Sequence, residues 1–308
     1  MGDSLKSPIT GFENIEFIEE FSSDEIRRLY KEQLNLDVDR FFRDLSVVQL
    51  FRCRDTGYRF FAPPEVEGDA LFYQELSTTR ANYYHDRWEH EMALAYPRAG
   101  QFWLEVGSGS GRFLRKLALL GVNAEGVDLN PESGQSSGGH NVVTKRSFND
   151  FRLNIGESVD GIVAFQVLEH IFDVKGFFEF CNLNLKERGL LILGVPNNNP
   201  YLFKFDRWHT LNLPPHHVGM WNEESLRTVA ETFGYQVLML KHEKLTSNEL
   251  RHLLRLGSEV GGLHGLLNRI GLKLVRLDSF LPFQPLQNLF RLLLEGRNIF
   301  AVFEKRAQ

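Results

Sequence analysis

Residues 105–111 read Glu-Val-Gly-Ser-Gly-Ser-Gly, directly after the apolar run Phe102–Val106 and directly before a helical pattern. Glycines at 107, 109 and 111 let the backbone turn tightly and approach a ligand with no Cβ in the way. The helix that follows offers free N–H groups and a partial positive charge at its N-terminus. About 20 residues on, a second expected strand ends at Asp128, where a carboxylate can accept both hydroxyls of a ribose. A dinucleotide is disfavoured, because the third glycine of its fingerprint falls on Arg112 or Leu114 in either register. No Gly-Lys-Ser/Thr is present, which excludes a triphosphate loop. Histidine suits proton uptake near pH 7, and two places offer it. One is the proline-stiffened Leu213-Pro214-Pro215-His216-His217-Val218; the other is Glu169-His170, just past the apolar run ending at Phe165.

These residues need a scaffold, and the chain supplies its pattern. From Gln101 onward, short β-branched or apolar runs alternate with helical spacing. Strands are expected at 102–106, 123–128, 142–145, 159–165, 190–195 and 235–240. Helices are expected at 112–120, 174–186 and 224–233. Such alternation predicts a parallel sheet with helices on both faces. Upstream, helical stripes cover 24–34 and 71–96, and Leu45–Phe51 reads as a weak strand. Residues 241–297 are rich in Leu and Arg at helical spacing, and 298–304 reads as a last strand.

With 308 residues, 43% of them hydrophobic and 24% charged, the chain is long enough for one large core with appendages. A net charge of -5 makes nucleic acid an unfavoured partner. Its two cysteines, Cys53 and Cys181, exclude a disulfide scaffold, and the first eleven residues lack a basic flank and an apolar core. A cytoplasmic location is therefore expected.

The stretch Glu105–Gly111 resembles motif I of class I S-adenosyl-L-methionine-dependent methyltransferases. Gln166-Val167-Leu168-Glu169-His170-Ile171 is similar to motif IV in the branch of ubiquinone and sugar methyltransferases, and Gly189–Asn197 to that family's fifth-strand segment. The resemblance covers residues 99–240. It implies an α/β fold with a doubly wound, seven-stranded Rossmann-like sheet, and S-adenosyl-L-methionine as cofactor. Carried over position by position, it implies cofactor contacts at Glu105, Gly107, Ser108, Gly109, Gly111, Asp128, Leu129 and Gln166. Asn149 and Asp150 would lie near the adenine. Pro64-Glu65 followed by Phe72-Tyr73 and Tyr83-Tyr84 resembles the family's segment that closes over the cofactor, with Tyr84 as its contact.

Ser7-Pro8-Ile9-Thr10-Gly11 and Cys53-Arg54-Asp55-Thr56-Gly57 each resemble half of a zinc-binding head found before sugar-modifying members. Only one thiolate remains, and hydroxyls are poor zinc ligands, so a metal-free relic is expected. The resulting organisation is a zinc-ribbon-like segment over 1–62, a helical cap over 63–98, and a methyltransferase domain over 99–308 with a helical insert at 245–297. The resemblance implies O-methylation of a sugar or glycan acceptor, with His217 as general base and His216 and His170 as further candidates. A lipid-like phenol or other small-molecule acceptor is the alternative within enzymes; a catalytically silent binding module is the alternative outside them. No resident metal is assigned. Some relatives bind a divalent ion through E-x-x-E-H and a distant histidine, and here Gln166 stands at the first position. Residues 241–308 hold eleven Lys and Arg against six Asp and Glu, which suits a lid, a dimer face or peripheral contact with a membrane.

Overall fold

The computed structural model describes residues 4–80, 87–129, 142–145, 147–150, 158–198, 206–259, 262–278 and 285–307. The N-terminal part contributes β1 (Ile15–Ser22), α1 (Ser23–Leu34), β2 (Val47–Cys53) and β3 (Arg59–Ala62). α1 starts where the Ser22 hydroxyl accepts the Glu25 N–H, with Asp24 and Glu25 in its first turn, and stops at Asn35 in the left-handed region. Phe21, Ile26, Tyr30, Phe42, Phe61 and Phe72 fill this lobe's core. Phe60 points to the opposite side, into the core of the larger sheet, as consecutive strand residues must.

The expected helix over 71–96 is two helices in the described residues, α2 (Ala70–Thr79) and α3 (Trp88–Ala93). α2 begins with Asp69 accepting the Phe72 N–H and ends at Arg80, whose backbone is extended. Next come β4 (Phe102–Val106), α4 (Arg112–Leu119), β5 (Asn123–Asp128), β6 (Val142–Lys145) and β7 (Val159–Phe165). α5 (Val174–Asn184), β8 (Leu185–Pro196), β9 (Gly219–Met220), α6 (Glu223–Thr232) and β10 (Tyr235–Lys244) follow. Three helices, α7 (Ser247–Glu259), α8 (Gly262–Asp278) and α9 (Pro285–Leu293), hang between β10 and β11 (Glu295–Lys305).

The larger sheet has the order β10-β11-β8-β7-β4-β5-β6. Its parallel part runs from β8 to β6, and β11 is antiparallel to both β8 and β10. β7 is buried along nearly its whole length, as a strand covered on both faces should be. One face packs Phe177, Phe178, Leu226 and Val229 of α5 and α6. The other packs Phe113, Leu114 and Leu117 of α4 and Ala93 of α3. From β4 the chain winds outward to β5 and β6, then returns to β7 on the other side. Loops after β4 and β7 therefore part at the strands' C-terminal edge and leave a crevice.

The N-terminal lobe is not closed on itself. Its sheet has the order β1-β2-β3-β9, and β9 is drawn from residues 219–220, far along the chain. That pairing sets the position of the loop carrying His216 and His217.

Candidate functional site

The crevice at the C-terminal ends of β4, β5 and β7 is a cavity of about 280 Å³. The glycine loop forms its floor. Gly107 (φ +76°), Gly109 (φ +50°) and Gly111 (φ +69°) all occupy the left-handed region. The Gly107 N–H donates to the Val127 carbonyl at 2.8 Å, tying the loop to β5. A Cβ on Gly107 would stand 2.2 Å from Cγ2 of Val167, so glycine is required sterically as well as conformationally. Asp128, at the tip of β5, accepts the Gly109 N–H through Oδ2 at 2.8 Å. Burial, reinforced by the nearby Asp128 charge, pushes the Glu105 carboxyl well above its usual range, and its Oε2 has no hydrogen-bond partner. The buried Ser108 and Ser110 hydroxyls also lack partners.

Glu105, Gly107, Ser108, Gly109, Asp128, Leu129 and Gln166 all line this cavity, whereas Gly111 lies just outside it and shapes the start of α4. Gln166 (φ +55°) caps β7, donating its backbone N–H to Gly194 and its side-chain amide to Glu89 of α3. The adenine-side expectation shifts. Ser147 and Phe148 line the wall, while Asp150, in the same short 3-10 turn, is exposed and is not among the lining residues. Nothing is described of the Asn149 side chain, and Tyr84 lies outside the described residues. Sequence reading passed over Glu67, Arg87 and His90 on the opposite wall. Tyr73, one of the aromatics of the 64–73 pattern, lines the cavity while its neighbour Phe72 is buried in the N-terminal core. One wide aromatic helix pattern hides that division of labour. Burial pushes Glu67 up to about 7.

His170, in the turn after β7, lines the same cavity; β7 and the Asp128-bearing β5 flank β4 on opposite sides. His217, the expected base, and His216 do not line it; they stack on each other and meet His170 at steep angles, with ring centroids 5.0 and 4.6 Å from its own. The three imidazoles each engage Nδ1 with an oxygen: His170 with the His216 carbonyl, His216 with the Leu211 carbonyl, His217 with Oδ1 of Asn212. A carbonyl oxygen only accepts, so these contacts assign the proton to Nδ1 and the lone pair to Nε2. Burial pushes His170 down to about 4 and holds His216 and His217 well below their ordinary range, so all three are neutral at pH 7.

One ring nitrogen of each lies within 4.8 Å of the others, and among the described residues this is the one group that offers a metal donor set. Glu169 sits beneath it, fully buried, with no partner for either carboxylate oxygen and with Oε1 3.8 Å from His170 Nε2. Burial pushes it up to about 8. Three neutral imidazoles, each with Nδ1 on an oxygen, and an unpartnered carboxyl group alongside fit a divalent cation of the borderline class. The pattern E-x-x-E-H with a distant histidine already points to Glu169, His170 and His217; the fold adds His216 to the group.

The N-terminal lobe brings them together. The Tyr30 hydroxyl donates to the Leu213 carbonyl at 2.8 Å and accepts the His216 N–H at 3.3 Å. Val218 donates to the Glu169 carbonyl, and Phe61 to that of Val218. The two N-terminal turns also match each other: Gly11 donates to Ser7 and Gly57 to Cys53, both at 2.9 Å and both with positive φ.

Residues 80–240 match a family model described as a methyltransferase domain. An ubiquinone biosynthesis O-methyltransferase of Methylocella silvestris is 28% identical over 116 residues, 35% of this chain and 45% of that protein. A probable S-adenosylmethionine-dependent methyltransferase of Mycolicibacterium smegmatis is 29% identical over 161 residues, 51% of this chain and 60% of that protein. The chain thus spans about half the length of the curated relatives it matches. A solved SAM-dependent methyltransferase from Archaeoglobus fulgidus aligns with a TM-score of 0.47 at 18% identity, over 70% of this chain and 90% of that one.

Proposed function

The chain belongs to the methyltransferase-domain family, and from that premise we propose that it transfers the methyl group of S-adenosyl-L-methionine to a hydroxyl of a small-molecule acceptor. The observation that carries this reading is that the glycine loop, Asp128 and a neutral imidazole, His170, line one and the same cavity. The residues fit the cofactor: the glycine loop and Asp128 line the cavity, and the buried Ser108 and Ser110 hydroxyls of that loop have no hydrogen-bond partner. When bound, the cofactor supplies a methyl carbon already activated by a positive sulfur.

The chain's own residues then have three tasks. Asp128 holds the ribose diol, and the loop N–H groups hold the rest of the cofactor in register. Tyr73 and Glu67 wall the acceptor side and exclude water. His170 would take the proton that the acceptor hydroxyl gives up, with the Glu169 carboxyl group 3.8 Å from its Nε2. His216 and His217 fix the orientation of His170.

The acceptor we propose is a sugar or glycan hydroxyl, supported by the paired turns at Ser7–Gly11 and Cys53–Gly57. The curated relatives named for ubiquinone biosynthesis support a lipid-like phenol instead. Transfer of labelled methyl from the cofactor to panels of sugar and phenol acceptors tests both. His170→Ala is expected to lower turnover by about 100-fold or more while cofactor affinity stays within about twofold. Failure of every hydroxyl acceptor, or full activity in that variant, would overturn the reading.

A second reading of the histidine cluster rests on the convergence of its nitrogens and on the orphaned Glu169 oxygens. His170, His216, His217 and Glu169 would hold a divalent cation, which would lower the acceptor hydroxyl's pKa in place of a base. Elemental analysis of the purified protein, with and without chelator, separates the two.

A further inference from the structure

The insert between β10 and β11 presents an inverted helix. In α8 the residues turned inward are Gly265, Asn268, Gly271 and Val275. Inward contact is close: a Cβ on Gly271 would stand 3.3 Å from Leu254 of α7. The residues turned outward are Leu263, Leu266, Leu267, Ile270, Leu274 and Leu277, between 42% and 70% exposed. A water-facing helix does the opposite, burying its leucines and exposing its polar residues. At 100° per residue the six fall within one arc, so they form a single stripe along the helix. Arg269, Lys273 and Arg276, all exposed, run beside that stripe along one flank. Leu286 and Leu289 on α9 are exposed as well.

We propose that this face of α8 lies on the surface of an anionic lipid bilayer, with the leucine stripe in the headgroup–acyl boundary and the three cations against lipid phosphates. An apolar stripe alone does not select its cover; the basic flank does. A parallel row of cations complements a negatively charged lipid sheet, and an apolar face with a basic border is the signature of an interfacial helix. The helix lies on the bilayer rather than crossing it: among the described residues no helix is long and apolar enough to span. This surface is separate from the cavity described above, so it holds for any methyl acceptor.

The test uses the full chain and co-sedimentation with vesicles of phosphatidylcholine alone or mixed with phosphatidylglycerol. The expected result is binding to the mixed vesicles, weakened by salt, and little binding to phosphatidylcholine. Replacing Arg269, Lys273 and Arg276 with Gln should weaken binding by about 100-fold. Leu266→Ser with Ile270→Ser should abolish it, while the melting temperature and cofactor affinity stay as in the parent, since both side chains face outward. No binding to mixed vesicles overturns the proposal, as does binding that survives the leucine changes. So does a parent dimer in light scattering that the same two changes dissolve, because the face would then belong to a second copy of the chain.

Discussion

Replacing Gly107 with alanine puts a methyl group where the structure has no room for one. Two costs can be separated. The residue sits at φ +76°, where an L side chain costs about 1–2 kcal/mol. Its Cβ would also stand 2.2 Å from Val167 Cγ2, against a comfortable carbon–carbon distance of about 3.5–4.0 Å. Val167 must therefore turn away or move by about 1.3 Å, and it lines the same cavity. Together the two terms predict about 2–4 kcal/mol lost from folding and cofactor binding combined. Calorimetry with S-adenosylhomocysteine should show at least tenfold weaker binding. Val167→Ala supplies the internal check. It removes both Cγ atoms and leaves a contact of 3.5 Å, an ordinary separation. On its own it should cost about 1 kcal/mol in lost methyl burial. In combination it should recover the steric part of the Gly107→Ala loss, so the double variant should beat the sum of the singles by about 1–2 kcal/mol. Additive losses, or a Gly107→Ala protein that melts and binds like the parent, would refute the account of the cradle.

Other outcomes follow from the same geometry. Tyr30→Phe removes a hydroxyl bonded to Leu213 and His216; it should cost about 1–2 kcal/mol of stability and lower turnover with cofactor affinity unchanged, as read by melting, kinetics and calorimetry. Glu67 binds its proton more tightly folded, at about 7, than at its ordinary 4.5. Stability should therefore fall as pH rises from about 4.5 to 7, by up to about 3 kcal/mol, and Glu67→Gln should flatten that slope in denaturant titrations. If the histidine cluster holds a cation, cobalt(II) should titrate to one equivalent per chain with visible absorption, and His216→Ala should weaken it at least tenfold.

The local parts of this molecule were readable from the chain. β4, β5, β6 and β7 appear at the residues expected; β4, β6 and β7 are rich in β-branched or apolar residues, and β5 follows the helix after the glycine loop and ends at Asp128. The glycine loop was readable because its chemistry lies within seven consecutive positions. What was hidden depends on distant partners. Ile15–Ser22 mixes glutamates with apolar residues and is a strand because β2 pairs with it. β9 has two residues and exists only through β3. His217 reads as a loop histidine free to meet substrate, yet the β9 pairing and Tyr30 fold its loop back, leaving His170 at the wall. A stripe of leucines at 263–277 predicts a helix, and its sequence alone does not reveal that glycine and asparagine take the inner side.

The central claim is that the crevice above β4 and β5 holds an adenosyl amino acid whose ribose is gripped by Asp128. Isothermal titration of the parent, Asp128→Ala and Asp150→Ala with S-adenosylhomocysteine tests it most directly. The account predicts one site per chain, a loss of about 1–3 kcal/mol in Asp128→Ala, and no change in Asp150→Ala, whose side chain is exposed and does not line the cavity. Absence of heat with the parent, or equal affinity in Asp128→Ala, would contradict it.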